Sequence, residues 1–351
     1  MPHETSESLP YVTAKSSRIL GKIKEQPEDF RVDEIPAYTP SGDGDHLFIH
    51  IEKIGLTTQD AAHRLARALG VDPRRASWAG MKDRQAVTTQ WLSVEGASAA
   101  QAEGVQLDGV RVLAAVPHDH KLRTGHLRGN RFQIRVRGAA GDVDLARDLL
   151  TRLALSGCPN YFGEQRFGRG GDNASRALAW VLGDGPAPRG KFQRKLMFSS
   201  LQAAMFNRWL ADRISDDLLG RAIAGDILRK EDTGGLFVCQ DVETDDARAR
   251  AFEVSATGPM FGHRMRQAEG GSAGREAAVL DASGLGPSDL EKHKKYGEGT
   301  RRAARVPLKV LTVEPDDSDL VIGFELPKGS YATVVLREVM KPTEIGPESH
   351  P

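Results

Sequence analysis

Strand-forming segments lie near both ends of the chain and enclose a long stretch in which helical patterns dominate. Apolar and polar side chains alternate at residues 44–54 and 132–137, and the alternation returns at 308–313 and 320–325. From about residue 160 to 305, apolar residues recur at helical spacing between Gly-rich loops. This order predicts a sheet domain that a mostly helical domain interrupts, with two consecutive domains as the alternative. The length of 351 residues suits two units.

Local signals refine the predicted elements. Thr57 or Thr58 can cap a helix whose apolar face includes Leu65 and Leu69, and Gly70 follows where a left-handed cap is expected. Further strands are predicted at 86–95 and 110–116, and helices at 142–155, 173–181, 199–214, 245–254, 275–282 and 332–340.

Composition and patterning exclude several classes of protein. Apolar residues make up 39% and charged residues 27%, which indicates a folded chain with a real interior. No apolar run approaches the roughly 20 residues of a membrane span, and the N-terminus lacks the apolar core of a secretion signal. We therefore expect a soluble, cytoplasmic protein. No apolar heptad or large apolar stripe is evident, so we also expect a monomer without an obligate protein partner.

Several motifs that can indicate cofactors are incomplete. Residues 185–191 have the spacing of a phosphate-binding loop, but Phe192 follows where that loop has Ser or Thr. His118 and His120 flank Asp119 without the further ligands that a metal requires. The cysteines, Cys158 and Cys239, are two in number, far apart and outside any CxxC pair, which predicts buried core residues rather than a disulfide or a zinc site. We predict no metal and no cofactor.

Positive charge is clustered, although Lys+Arg and Asp+Glu each total 48. Residues 118–137, 189–195 and 292–305 each carry several cations and few acids. A solvated surface is the usual explanation for a single run of this kind. Three runs in a neutral chain favour contact with the phosphates of a nucleic acid. The cations are Lys121, Arg123, Arg128, Arg131, Arg135 and Arg137 in the first run, Arg189, Lys191, Arg194 and Lys195 in the second, and Lys292, Lys294, Lys295, Arg301, Arg302 and Arg305 in the third.

The loop at residues 79–90 places one acid between two bases. Asp83 lies between Lys82 and Arg84, and neighbouring cations favour the ionised carboxylate. An ionised carboxylate suits a nucleophile or a proton acceptor rather than a general acid. An ordinary charged turn is the alternative.

Five segments of the sequence resemble the motifs of the tRNA pseudouridine synthase D (TruD) family, and they occur in the family's order. They are residues 27–34, residues 80–83 with 86–88, residues 129–132, residues 159–168 and residues 326–333. The resemblance implies an α/β (α+β) fold, in which a pseudouridine synthase catalytic domain with a central mixed β-sheet is interrupted by a mostly helical TRUD insertion domain. On this basis we expect a flexible N-terminus at 1–18, the catalytic domain at 19–158 and 306–351, and the insertion domain at 159–305.

The resemblance also implies a reaction. Members of the family isomerise uridine to pseudouridine in tRNA, typically at uridine 13, with no metal or nucleotide cofactor. Asp83 matches the family's catalytic aspartate, and it can either attack C1′ of the ribose or remove a proton from C2′. Two other functions stay open: a non-catalytic protein that binds or folds tRNA on the same scaffold, and an aspartate-dependent hydrolase.

Other site residues follow from matching family positions. Phe30 and Asn130 match positions that contact the target nucleotide, where a ring can stack on uracil and an amide can bond its edge. Tyr331 stands where other members carry Phe. Lys24 matches a basic position and is the candidate partner of Asp83, with Lys82 and Arg84 as rivals. We expect the RNA backbone to contact Arg131, Arg135 and Arg137.

Overall fold

The structure is a computed structural model that describes residues 9–168 and 170–341. Its strands are β1 (Phe30–Pro36), β2 (His46–Lys53), β3 (Ala76–Trp78), β4 (Val87–Glu95), β5 (Val110–His118), β6 (Leu127–Val136), β7 (Cys158–Pro159), β8 (Ile227–Lys230), β9 (Leu236–Val238), β10 (Val254–Met260), β11 (Thr300–Ala303), β12 (Arg305–Val306), β13 (Lys309–Asp316) and β14 (Asp319–Pro327). Its helices are α1 (Thr58–Ala68), α2 (Ala99–Glu103), α3 (Val143–Ser156), α4 (Asn173–Leu182), α5 (Gly190–Ser215), α6 (Val242–Arg250), α7 (Gly270–Ala282), α8 (Pro287–Lys292) and α9 (Ala332–Met340).

The described chain forms two compact units. Residues 19–147 and 308–329 form the sheet unit, and residues 9–18, 148–307 and 330–341 form the helix-rich unit. Residues 148–158 and 330–341, which we expected in the catalytic domain, group with the middle of the chain because β7 pairs with β12 and α9 packs on β7. A separate insertion domain at 159–305 stays a prediction. Residues 342–351 of the expected catalytic domain lie outside the described residues.

The sheet unit is built on one eight-stranded sheet. The strand order is β13-β14-β6-β1-β4-β2-β5, and β3 pairs with β4 beside this path. The pair of β1 and β4 is parallel and the other pairs are antiparallel. The predicted central mixed sheet and the mixed α and β class are therefore confirmed.

Local sequence explains the elements around this sheet. The side chain of Thr57 caps α1 by accepting the N–H of Asp60, and Gly70 takes a left-handed φ of +73° just after the helix. The helix buries an apolar face against β2 and β4, and the buried residues are Ala61, Ala62, Leu65, Ala66, Leu47, Ile49, Ile51, Leu92 and Val94. In β6, a Cβ at Gly129 would overlap the main-chain oxygen of Leu326, so this strand pair requires glycine there.

The helix-rich unit contains a small sheet that the sequence patterns do not predict. Its four strands, in the order β11-β10-β8-β9, are antiparallel. All seven residues of β10 are buried, so the alternation that identifies a strand is absent. Helix α5 begins at Gly190, whereas the sequence pattern predicts a start at 199. The pattern misses the first turns because they are exposed and lack apolar periodicity. Among the described residues, the structure has no helix with both the length and the apolar character that crossing a bilayer requires.

Residues 9–18 are held against the last turn of α9 and the residue that follows it, within the helix-rich unit. Thr13 is buried, and its N–H and hydroxyl both donate to the carboxylate of Glu338, at 3.0 and 2.9 Å. Lys341 Nζ donates to the main-chain oxygens of Thr13 and Ser16, each at 2.6 Å. These hydrogen bonds anchor the part of the predicted flexible N-terminus that the structure describes, residues 9–18. Its flexibility stays a prediction, and residues 1–8 lie outside the described residues.

Candidate active site

Asp83 lies in the loop of residues 79–86, which connects β3 to β4. The fully buried Lys53, at the end of β2, donates from Nζ to two main-chain oxygens, one of them that of Asp83 at 2.7 Å. Thr58, at the start of α1, accepts a hydrogen bond from the main-chain N–H of Lys82 at 2.8 Å. Buried side chains from two elements therefore fix the main chain on both sides of the Asp83 side chain.

Lys82 forms a buried ion pair with Glu34 at the end of β1. Its Nζ lies 2.6 Å from Glu34 Oε2, and the two side chains are 4% and 1% exposed. The other carboxylate oxygen of Glu34 accepts the main-chain N–H of Trp91 at 3.3 Å. The ion pair ties the Asp83 loop to β1 and β4. Lys82, predicted as a supporting charge for Asp83, thus directs its ammonium group to Glu34.

The carboxylate of Asp83 pairs with Lys24. Lys24 Nζ lies 3.7 Å from Asp83 Oδ2, and both side chains are about one-third exposed or less. The same ammonium group lies 4.5 Å from the ring centroid of Phe30. Lys24 has a φ of +60°, which a lysine rarely adopts unless its surroundings impose it. Arg84, a rival candidate, donates from Nε to the main-chain oxygen of Gly55 at 2.9 Å.

Strand register brings Phe30 and Asn130 to one face of the sheet. In the pairing of β1 with β6, Phe30 lies opposite Ile134 and Glu34 lies opposite Asn130. Residues an even number apart in a strand share a face, so these four side chains point the same way. Phe30 is only 2% exposed and packs edge-on against Phe132, with 6.2 Å between the ring centroids. Its ring is therefore a platform beneath Lys24.

Asn130 carries an unsatisfied acceptor. Its side-chain oxygen is buried and has no hydrogen-bond partner among the residues that the structure describes. Leaving such a group unpaired costs about 1–3 kcal/mol, so it calls for an explanation such as a ligand. Its cross-strand neighbour Glu34 binds Lys82, next to Asp83. The unpaired oxygen is therefore close in the sheet to the Asp83 loop.

The arginines that we expected to contact the RNA backbone are paired with acids. Arg131 and Arg135 alternate with Asn130 in β6 and so point to the opposite face of the sheet. The ion pairs are Arg131 with Glu325 at 2.7 Å, Arg135 with Asp319 at 3.1 Å and with Asp316, and Arg137 with the buried Asp29 at 2.7 Å. The structure therefore does not bring these arginines together with Phe30 and Asn130.

Three other cations of the same run are exposed. Lys121, Arg123 and Arg128 form no ion pair with any residue in the described parts of the chain. Lys121 and Arg123 lie in the loop before β6, and Arg128 is the second residue of β6. This loop is joined to the Asp83 loop, because the N–H of Gly125 donates to the main-chain oxygen of Ala79 at 2.7 Å. The sequence shows that the run is cationic. Only the folded structure shows which of its cations are paired with acids.

Tyr331 lies in the helix-rich unit, immediately before α9. Its ring centroid is 6.2 Å from that of Phe162, and the guanidinium of Arg302 lies 3.9 Å from the centroid of Phe162. Arg302 also donates to the main-chain oxygen of Asn160 at 3.0 Å, and burial lowers the pKa of Arg302 to about 10. Asn160 and Phe162 thus pack around Tyr331 and Arg302.

Comparison with known proteins identifies the family. A family model described as tRNA pseudouridine synthase D (TruD) matches residues 8–175 and 191–339. The chain belongs to the TruD family. The TruD proteins of Anaeromyxobacter sp. (strain Fw109-5) and of Thermus thermophilus are 51% and 42% identical to it. Each alignment covers 95% of this chain, and 96% and 93% of the respective relatives.

A solved structure shows the same fold. The crystal structure of a Methanosarcina mazei protein, described as a tRNA pseudouridine synthase D, superposes with a TM-score of 0.79 and 24% sequence identity. The match covers 97% of this chain and 99% of the other. The fold is therefore shared, and the family model and the two relatives confirm the resemblance that the five TruD motifs indicate.

One histidine group of this TruD-family chain has closely spaced ligand atoms. Within the described residues, the ligand atoms of His118, Asp119 and His120 lie within 4.8 Å of one another. His118 Nδ1 accepts the N–H of Ser41 at 3.0 Å, so the neutral ring carries its proton on Nε2. That nitrogen lies 3.2 Å from His120 Nε2. A hydrogen bond between the rings accounts for their contact.

The buried ammonium group of Lys53 should make the stability of the protein depend on pH. Burial lowers its pKa to about 8, below the ordinary 10.5 that it regains on unfolding. Between these values the unfolded chain binds more protons than the native chain, so stability rises with pH. We expect the unfolding free energy of the wild type, relative to Lys53→Met, to rise by up to about 3 kcal/mol between pH 7 and 10.5. Urea unfolding at a series of pH values measures this, and a flat difference would contradict it.

Proposed function

We propose that this protein converts uridine to pseudouridine in tRNA, at uridine 13, and that Asp83 performs the chemistry. The observation that supports this most is the placement of Asp83 in a TruD-family chain. Its main chain is fixed by buried hydrogen bonds, and its carboxylate pairs with Lys24. A partly exposed carboxylate, held by a cation and open to a substrate, suits attack on a sugar carbon or removal of a proton.

The reaction needs one ionised oxygen and a means of holding the detached base. The bond from C1′ to N1 breaks, the uracil turns, C5 bonds to C1′, the C5 proton leaves and N1 takes up a proton. In the first route Asp83 forms a transient bond to C1′, which breaks when C5 attacks. In the second route Asp83 takes the C2′ proton and returns it to C2′ when C5 bonds to C1′. The Lys24 ammonium stabilises the negative charge on Asp83 in both routes.

Asn130 is the proposed holder of the base. Its Oδ1 is unpaired among the described residues but buried, so it can accept the N3–H of uracil only after a local shift exposes it. That hydrogen bond would satisfy the acceptor and restrain the base while it turns. Stacking of uracil on Phe30 stays a prediction, and the buried ring supports Lys24 instead. A role of Tyr331 at the nucleotide also stays a prediction that rests on the family position.

The exposed cations next to the Asp83 loop are the proposed contacts for the RNA backbone. Extruding a stacked uridine costs a few kcal/mol, which phosphate contacts can offset. Lys121, Arg123 and Arg128 suit this role because they lie in, or directly after, the loop that contacts the Asp83 loop, and because their charges are not balanced by described acids. We further propose that the enzyme acts as a monomer, without a partner protein or cofactor.

Release of tritium tests the function directly. A tRNA transcript labelled at C5 of uridine releases tritium when pseudouridine forms. We expect release with the wild-type protein and the transcript, and none when cytidine replaces uridine 13. Binding of the transcript without release would instead support the non-catalytic tRNA-binding or tRNA-folding alternative.

Salt dependence tests the backbone contacts. We expect the triple replacement of Lys121, Arg123 and Arg128 by Gln to weaken tRNA binding and to lower the slope of log affinity against log salt by about two to three. The matched control replaces Arg131 and Arg135 by Gln and leaves the slope nearly unchanged. Arg137 is kept, because its loss would leave the buried Asp29 unpaired. The reverse result would restore the original prediction for Arg131 and Arg135.

A further inference from the structure

Phe192 is an exposed aromatic side chain among cations in the helix-rich unit. It lies in the first turn of α5 and is 78% exposed. Arg189, Lys191 and Lys195 surround it in sequence, and all three are exposed. We call these four residues the Phe192 surface. Burial of an aromatic ring is strongly favourable, and the described fold leaves most of the Phe192 side chain in water.

The cations of the Phe192 surface are not balanced by acids. Arg189, Lys191 and Lys195 form no ion pair with any residue between 9 and 168 or between 170 and 341. Arg131, Arg135 and Arg137, in contrast, each contact a carboxylate. Cations in the first turn of a helix also oppose its dipole, so helix stability does not explain their presence. Neither ion pairing nor the helix dipole therefore accounts for the three cations beside the exposed ring of Phe192.

The helix turn beneath this surface is anchored to a second segment. Arg194 donates from Nε to the main-chain oxygen of Pro188 at 2.8 Å and from Nη1 to the hydroxyl of Tyr296 at 3.0 Å. The ring of Tyr296 lies 5.2 Å from that of Trp180. The exposed Lys295 places its Nζ 5.2 Å from the centroid of Tyr296. A further cation thus borders the surface, and the turn that carries Phe192 is held in place.

We propose that the Phe192 surface binds tRNA, with Phe192 stacked on an unstacked base and with Arg189, Lys191 and Lys195 on the neighbouring phosphates. Aromatic rings beside cations bind single-stranded nucleotides in this way. The choice of tRNA as the RNA rests on the proposed function. A second copy of this chain fits less well, because a two-fold interface would bring the same cations together around one small apolar group.

The affinity of Phe192 variants for a tRNA transcript tests the proposal. We expect Phe192→Ala to raise the Kd about tenfold, measured by fluorescence anisotropy of an end-labelled transcript. Phe192→Leu keeps an apolar side chain but cannot stack, and we expect nearly the same loss. Phe192→Trp should bind at least as well as the wild type. Leu155→Ala is the matched control, because Leu155 is 74% exposed on another helix of this unit.

The cations have their own measurement. We expect Lys191→Gln with Lys195→Gln to lower the slope of log affinity against log salt by about one to two. Since all these side chains are exposed, the variants should fold normally, which circular dichroism checks.

Two results would overturn the proposal. One is a Kd for Phe192→Ala or Phe192→Leu that stays within about twofold of the wild type. The other is a wild-type dimer in sedimentation that Phe192→Ala dissociates, which would assign the surface to a second copy.

Tritium release distinguishes failure of this proposal from failure of the proposed function. Release with unchanged Phe192→Ala binding refutes the surface alone, whereas weakened binding without any wild-type release refutes the function alone.

Discussion

Asp83→Asn is expected to lower the rate of tritium release from C5-labelled tRNA by about 10³-fold or more. The amide has nearly the shape of the carboxylate, but it can neither attack C1′ nor take the C2′ proton at neutral pH. The hydrogen bonds that fix the loop use the main-chain oxygen of Asp83 and the N–H of Lys82, so the substitution leaves them intact. Affinity for tRNA should therefore change little. Single-turnover release at saturating enzyme measures the chemical step.

Two neighbouring variants serve as controls for this result. Lys24→Met removes the cation that stabilises the carboxylate, so we expect a smaller loss, of about 10–100-fold. Arg84→Gln should retain most of the activity, because the side chain of Arg84 donates its hydrogen bond to the main-chain oxygen of Gly55 and not to Asp83. If Asp83→Asn released tritium at the wild-type rate, another group would have to perform the chemistry.

Patterns within the sequence predict most of the sheet unit, because its signals are local. The alternation at 44–54 becomes β2, and the cap at Thr57 begins α1. In the helix-rich unit, helix 332–340 likewise has the bounds that its spacing predicts. The small sheet of the helix-rich unit was missed because β10 is buried on both faces and so carries no alternation.

The candidate site was predicted less completely, because its contacts join distant parts of the chain. The motifs pointed to Asp83, Lys24 and Asn130, but not to their supports. Lys53 could have been noticed, since it occupies an inward position of β2 together with Ile49 and Ile51. Its target, the main-chain oxygen of Asp83, lies 30 residues away and follows only from the fold.

Strand register also decides whether an arginine of the first cationic run is neutralised by an acid. Arg131 meets Glu325 because β6 and β14 pair, although the two residues are 194 positions apart. A run of cations in the sequence therefore does not show which of them are available to a phosphate.

Glu34→Ala is expected to destabilise the protein by about 3–5 kcal/mol. The substitution leaves the ammonium group of Lys82 buried at 4% exposure with its carboxylate partner removed, and an uncompensated buried charge is costly. It also removes the acceptor for the N–H of Trp91. Urea unfolding of Glu34→Leu, Lys82→Met and their double variant, measured beside Glu34→Ala, forms a double-mutant cycle that isolates the pair.

The double variant decides what the ion pair contributes. Replacing a buried pair by apolar groups is often nearly neutral, so Glu34→Leu with Lys82→Met should recover most of the stability that Glu34→Ala loses. Its rate of tritium release should stay well below that of the wild type, because Lys82 precedes Asp83 and the pair ties the loop to β1. Recovery of both stability and rate would show that the pair does not orient Asp83. Single variants within about 1 kcal/mol of the wild type would show that the charges are not buried in solution.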